Sequence, residues 1–293
     1  MRVAVRAPAT TANLGAGFDV FGAALALENL FTIETGREGF RLKGVPVQPD
    51  LGRNLFHAAL DRTAAELGGQ APKVAVTVDV AVPLRSGLGS SASAICAGVA
   101  AAQVLLSKHL APAAALRIAA ELDGHPDNVA ACLFGGVTIA TDDGLVRRLP
   151  APDLRAIVFY PGTELGTEAA RRSLGREVLR ADAVFNLGRA SLLVYAFALQ
   201  DYDLLSAACE DRLHEPQRLP ALPYAQEARE AALSAGALAM PISGSGPSLL
   251  ALARPAQADA VALALQAVAA RHAPARVLDL AFADRGTEAQ ALD

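Results

Sequence analysis

The sequence predicts an α/β fold in which strands and helices alternate, and three observations carry that expectation. Val74 to Val82 alternates valine with other residues as a half-buried strand does, and it runs through a glycine loop into the alanine-rich apolar run Ala92 to Leu106. Asn54 to Leu67 has apolar residues at helical spacing and stops at Gly68-Gly69, a C-terminal cap signal. With 293 residues, 53% of them hydrophobic, the chain is long enough to bury a large core and to form two lobes.

In chain order, Val3 to Ala7 reads as a short strand feeding the loop Pro8 to Asp19, and Gly22 to Thr35 and Phe40 to Gly44 follow as strands. The helix from Asn54 carries His57, read as a packed histidine rather than a ligand. After the strand Val74 to Val82 and its helix, Pro112 opens a second helix, Ala113 to Leu122, and Glu121 to Asn128 precedes another apolar helical run. Gly135 to Ala140 is a strand, and Asp142-Asp143-Gly144 turns into Leu145 to Leu149. Pro150-Ala151-Pro152 is the best boundary, dividing lobes 1–150 and 151–293. The second lobe opens with the strand Ala156 to Tyr160, passes through helices and regains strand character at Ser248 to Ala253 and Val277 to Ala283.

Composition removes several function classes. A net charge of −4, no tryptophan and no basic stripe give nucleic-acid binding no support. The longest apolar run, Ala92 to Leu106, is too short and interrupted for a membrane span, so a cytoplasmic protein without a membrane partner is expected. Cys96, Cys132 and Cys209 show no metal-ligand spacing and read as buried thiols.

The stretch that organises the chain is Pro83-Leu84-Arg85-Ser86-Gly87-Leu88-Gly89-Ser90-Ser91-Ala92-Ser93. Its glycines permit close backbone approach to an anion, and the helix start behind them offers unpaired N–H groups at the positive end of the dipole. Its hydroxyls suit capping or phosphate and its metal. The stretch is not a P-loop, because the chain holds no Gly-Lys dipeptide. A dinucleotide fingerprint is formally present in Gly87, Gly89 and Ala92, but His109-Leu110-Ala111-Pro112 stands where its acidic residue belongs.

Pro-x-x-x-Gly-Leu-Gly-Ser-Ser-Ala resembles the central ATP-binding motif of the GHMP kinases. Pro8-Ala9-Thr10-Thr11-Ala12-Asn13-Leu14-Gly15-Ala16-Gly17-Phe18-Asp19 and Ser243-Gly244-Ser245-Gly246-Pro247-Ser248 are similar to the outer motifs of that family, in matching order and spacing. Asp123-Gly124-His125-Pro126-Asp127-Asn128 looks like its homoserine kinase branch, with Asp123 where the branch usually has Glu. The resemblance implies a two-lobed α+β kinase fold with mixed sheets, packed helices in each lobe and the site in the cleft between them.

It also implies ATP and Mg²⁺, with L-homoserine as the small-molecule substrate. Pro83 to Ser93 would hold the triphosphate, and Ser90 or Ser91 with Glu121 or Asp123 would hold the metal, the choice being open. Asn13, Asp19, His125, Asp127, Asn128, Thr167, Arg189, Arg218 and Gly244 fall to the substrate, with Ser91, Asp127, Asn128 and Arg189 nearest the chemistry. Taken without the family, Asn13 reads equally well as a turn residue, Asp127 as a helix cap, and Arg189 and Arg218 as surface arginines. A mevalonate or sugar kinase of the same family, a non-catalytic nucleotide sensor and, last, an oxidoreductase are the alternatives; a homodimer is left open.

Overall fold

The structure, a computed structural model, describes residues 1–45, 54–163, 170, 172, 174–175 and 177–292. Thr167 lies outside the described residues.

Two sheets form the frame. The larger runs β10-β1-β2-β4-β3, with β5 on β2 and β6 on β5; its strands are β1 (Arg2–Asn13), β2 (Gly17–Thr35), β3 (Gly39–Lys43), β4 (Val74–Asp79), β5 (Val137–Ala140), β6 (Val146–Leu149) and β10 (Glu288–Ala291). It is mixed, β3 lying parallel to β4 and the other pairs antiparallel. The smaller sheet is antiparallel in the order β8-β7-β9, from β7 (Arg155–Tyr160), β8 (Leu249–Ala253) and β9 (Arg276–Ala281).

Helices α1 (Leu55–Glu66), α2 (Ser90–Leu105), α3 (Pro112–Asp123) and α4 (Pro126–Phe134) cover the larger sheet. Asn54 caps α1 by accepting from the His57 N–H at 3.1 Å, and His57 packs edge-on against Phe40 and Phe56, the structural role expected of it. Val3, Val5, Phe31, Ile33, Phe56, Ile95 and Leu116 build the core beneath these helices. A second core joins the two halves of the chain, combining Ala9, Leu14, Leu25 and Leu88 with Val158, Leu193, Phe197 and Leu250. A third lies on the far face of the smaller sheet, where Ile157 and Phe159 alternate with Ala156 and Val158 as strand geometry requires.

β1 departs from the expected loop at Pro8 to Asp19: pairing with β2 continues to Asn13 opposite Gly17. Val3, Val5 and Ala7 face the helix-side core, yet Ala9, of the same parity, joins the second core. The change falls at the register shift between Pro8 and Ala9, where the partner on β2 steps from Glu28 to Leu25 and leaves two extra residues on that strand. Residues 7 to 13 are buried on both faces, so no polar–apolar alternation marks them as a strand.

β10 corrects the expectation that everything after residue 150 sits in a second lobe, since it pairs with β1 at the edge of the larger sheet. The long helix α5 (Arg180–Leu199) is the one described helix whose length and hydropathy match a bilayer span, and 22% of its most apolar window is buried.

Candidate active site

Beyond the register shift, β1 sends Thr10 toward α2 and α4, where its hydroxyl donates to Asn128 Oδ1 at 2.7 Å. Thr11 points to the opposite side and shares a hydrogen bond with the Ser243 hydroxyl at 2.9 Å. Ser243 Oγ also lies 2.7 Å from the Gly87 carbonyl, to which it donates. The N-terminal strand therefore clasps the glycine loop and the 243–248 loop together, and all three sequence motifs meet at one cavity of ≈ 260 Å³.

Asn13, Asp19, Arg85, Ser86, Gly87, Gly89, Ser90, Ser91, Asp123, His125, Asp127, Asn128, Arg218 and Gly244 line that cavity. Within the loop, Leu88 and Ala92 are core residues, Leu84 packs against the core, and buried Ser93 accepts from Asn29 Nδ2 at 3.1 Å. These positions hold the loop's shape and face away from the cavity. Pro83 takes the same supporting part, its carbonyl accepting from the Ser86 hydroxyl at 2.7 Å.

The two glycines answer to the chain itself. Gly89, at φ 69°, precedes the first turn of α2, and a Cβ there would fall 1.9 Å from Thr10 Oγ1. A Cβ on Gly87, at φ 79°, would fall 2.5 Å from the Ser243 carbonyl oxygen. Both glycines let three segments close on one another while also lining the cavity. No side chain caps α2, which leaves its first-turn N–H groups directed at the cavity without an intrahelical acceptor.

Ser91 Oγ donates to Asp123 Oδ1 at 2.8 Å, joining the start of α2 to the end of α3. Glu121 sits one step round α3 and is drawn outward by Arg62 at 3.4 Å, with 54% of its side chain exposed. Of the two carboxylates left open by the sequence, Asp123 lines the cavity and Glu121 does not. Burial lifts the Asp123 carboxyl to about 6 against the pull of the Ser91 hydroxyl. The pair supplies oxygen donors only, which suits Mg²⁺.

Asp127 lies in the first turn of α4, although the cap position is His125. Burial pushes its carboxyl up to about 7; the Asn128 N–H, donating at 2.6 Å, opposes the rise, while Asp123 and Asp19 add to it. Asn13 Nδ2 donates to the Gly244 carbonyl at 2.7 Å, and Asn13 Oδ1 accepts from the Asp19 N–H at 3.0 Å. Asn13 and Asp19 hold φ values of 70° and 58°, as the turn reading expects, and both line the cavity.

Arg218 is buried rather than superficial, and it donates to Gly244 O at 3.2 Å and to His214 Nδ1 at 3.0 Å. Since arginine has only donors, His214 Nδ1 must accept, and Nε2–H donates to the Gly15 carbonyl at 2.9 Å. Burial pushes the His214 imidazole below its ordinary range, consistent with that neutral form, and Phe18 stacks on it at 5.0 Å. The sequence alone assigns no role to His214 or Thr10, and Thr10 is visible there only within the Pro8 to Asp19 motif. Arg189 does not reach the cavity: it pairs with Glu210 at 2.8 Å and lies over Phe185.

Residues 54–136 match the GHMP kinases N terminal domain and residues 193–271 the GHMP kinases C terminal domain. A homoserine kinase of Synechococcus sp. is 40% identical over 299 residues, covering 98% of each chain. The chain belongs to the GHMP kinase family. A homoserine kinase of Streptomyces avermitilis is 42% identical to this GHMP kinase, over 89% of this chain and 88% of that one. The crystal structure of homoserine kinase from Cytophaga hutchinsonii superposes with a TM-score of 0.89 at 30% identity, over 99% of this chain and 97% of the other. A mevalonate kinase structure at 12% identity and TM-score 0.70 shares the fold alone.

Proposed function

We propose that this GHMP kinase transfers the terminal phosphoryl group of ATP to the side-chain hydroxyl of L-homoserine, giving O-phospho-L-homoserine for threonine biosynthesis in the cytoplasm. The observation that carries the reading is the Ser91–Asp123 pair at 2.8 Å, which shares one cavity with the glycine loop, Asn13 and Arg218. Full-length identity of 40% to a homoserine kinase favours this substrate over other small alcohols.

On this reading the N–H groups at Gly87, Gly89 and the start of α2 grip phosphate oxygens, with the Ser90 hydroxyl beside them. Ser91 and Asp123 would hold Mg²⁺, which would neutralise charge on the transferring group. Arg218, fixed by His214 and Gly244, grips the substrate carboxylate, while Asn13, Asp19 and His125 orient the rest of the amino acid. Asn128, held by Thr10, positions the hydroxyl, and ionised Asp127 accepts its proton. Arg189, paired with Glu210, stands outside this set, and the two lobes divide near residue 150 with the final strand returning to the first.

A coupled ADP assay with L-homoserine, threonine, serine and mevalonate tests the reading; turnover that does not favour homoserine would refute it. Asn128→Ala and Ser91→Ala are each expected to lower kcat about 100-fold or more with little change in melting temperature. Arg218→Ala is expected to act mainly by raising the KM for homoserine, by about 10-fold to 100-fold.

A further inference from the structure

Asn29 stands on β2 at a place where an apolar side chain would serve packing better. It has the strand parity of Phe31 and Ile33, which face the helices from the larger sheet, and like them it is buried. A buried carboxamide is costly unless its polar atoms find partners. That of Asn29 makes three hydrogen bonds: Oδ1 accepts from the Ala81 N–H and from the Val82 N–H, each at 2.9 Å, and Nδ2 donates to the Ser93 hydroxyl at 3.1 Å.

Those partners are the two feet of the glycine loop. β4 pairs with β2 as far as Asp79 opposite Leu30, and the Val80 N–H goes to the Lys43 carbonyl of β3. The next two backbone donors leave the sheet and are both taken by Asn29, after which Pro83, which has no N–H, opens the loop. On the far side Ser93 lies in the first turn of α2, and its hydroxyl donates in turn to the Ala7 carbonyl at 3.4 Å.

We propose that Asn29 is a positioning residue for the nucleotide, its carboxamide setting the span between Val82 and Ser93 and with it the direction of the N–H groups at Gly87, Gly89 and the start of α2. The inference rests on the reading that these groups grip the phosphates of ATP. Asn29 does not line the cavity, so its effect passes through the loop alone. The tip of the loop is held from elsewhere, the Thr10 N–H donating to the Leu88 carbonyl at 3.1 Å and the Ser243 hydroxyl to the Gly87 carbonyl at 2.7 Å. A fixed tip over a shifting base cannot keep several N–H groups on one set of oxygens, and a misplacement of about 1 Å at such a site costs on the order of 100-fold. Arg218 and Asn13 are fastened through Gly244 and His214, away from these feet, so the substrate side of the cavity should not feel the change.

Calorimetric titration with ADP, with no homoserine present, tests the assignment. Asn29→Ala is expected to weaken ADP binding about 10-fold to 100-fold, and to leave the KM for homoserine within about threefold of the parent. Ser93→Ala, a smaller change that frees one foot only, is expected to weaken ADP binding about threefold to tenfold. Hydrogen exchange reads the same role without any ligand: the Ala81 and Val82 amides should lose protection in Asn29→Ala and keep it in Ser93→Ala. Leu265→Ala, in the core on the far face of the smaller sheet, measures a purely structural loss and should lower the melting temperature with ADP binding unchanged. A parent chain that does not bind ADP would overturn this inference together with the phosphate reading. A parent that binds, with unchanged ADP binding in Asn29→Ala or in Ser93→Ala, or with the homoserine KM rising in step with the loss of ADP, would overturn the part given to Asn29 alone.

Discussion

Asp127 and Asp123 carry opposite demands at the scale of single residues. The Asp127 carboxyl stands at about 7 in the folded chain, above an unfolded value of about 3.9. Between those limits the folded state binds the extra proton, so stability from this group falls as pH rises from about 4 to about 7 and is level beyond. Denaturation in a chelator should therefore show lower stability at pH 8 than at pH 5, and Asp127→Asn should remove most of the difference; a variant with the same slope would place the titration elsewhere. Activity runs the other way, because a proton acceptor must be ionised: kcat/KM is expected to fall as pH drops through about 7. Asp123→Asn is expected to raise the magnesium needed for half-maximal rate about 10-fold to 100-fold, the worth of a charged hydrogen-bond partner. Glu121→Gln, on a side chain pulled out by Arg62, should leave that requirement unchanged.

Between elements, what the sequence made legible was the list of motifs, and what it hid was their mutual grip. Spacing located the strand, glycine loop and helix of residues 74 to 105 to within a few residues. The extension of β1 to Asn13 was hidden because burial on both faces erases alternation, and the withdrawal of Arg189 was hidden because its partner, Glu210, is distant in the chain. The sequence also hides that Gly89 makes room for a neighbouring hydroxyl: a Cβ there would fall 1.9 Å from Thr10 Oγ1. Gly89→Ala should therefore lower the melting temperature as well as ATP binding, from both positive φ and overlap. Adding Thr10→Ala should recover part of the stability but not the turnover, since Asn128 loses its donor. His214→Phe, which keeps the stack on Phe18 while removing both hydrogen bonds, is expected to raise the homoserine KM by about tenfold, less than Arg218→Ala.

For the whole molecule, the closing segment of the chain decides whether the two sheets hold one cleft. β9 leaves the smaller sheet, Phe282 bridges to Leu25 of β2, and Thr287 donates through both N–H and hydroxyl to the Cys132 carbonyl at the end of α4. β10 then covers the outer edge of β1, the strand that delivers Thr10, Thr11 and Asn13. Deleting residues from Thr287 onward would uncover a strand edge and free the end of α4, the helix that carries Asp127 and Asn128. The shortened chain should melt lower, because those hydrogen bonds and edge pairs are lost, and should associate at concentrations where the parent does not. Asn128 and Thr10 sit on the two elements this segment fastens, so kcat should fall further than the homoserine KM rises, Arg218 being anchored through Gly244 and His214 instead. A truncated chain with parental kcat and melting temperature would show that α4 and β1 keep their spacing without the C-terminal strand.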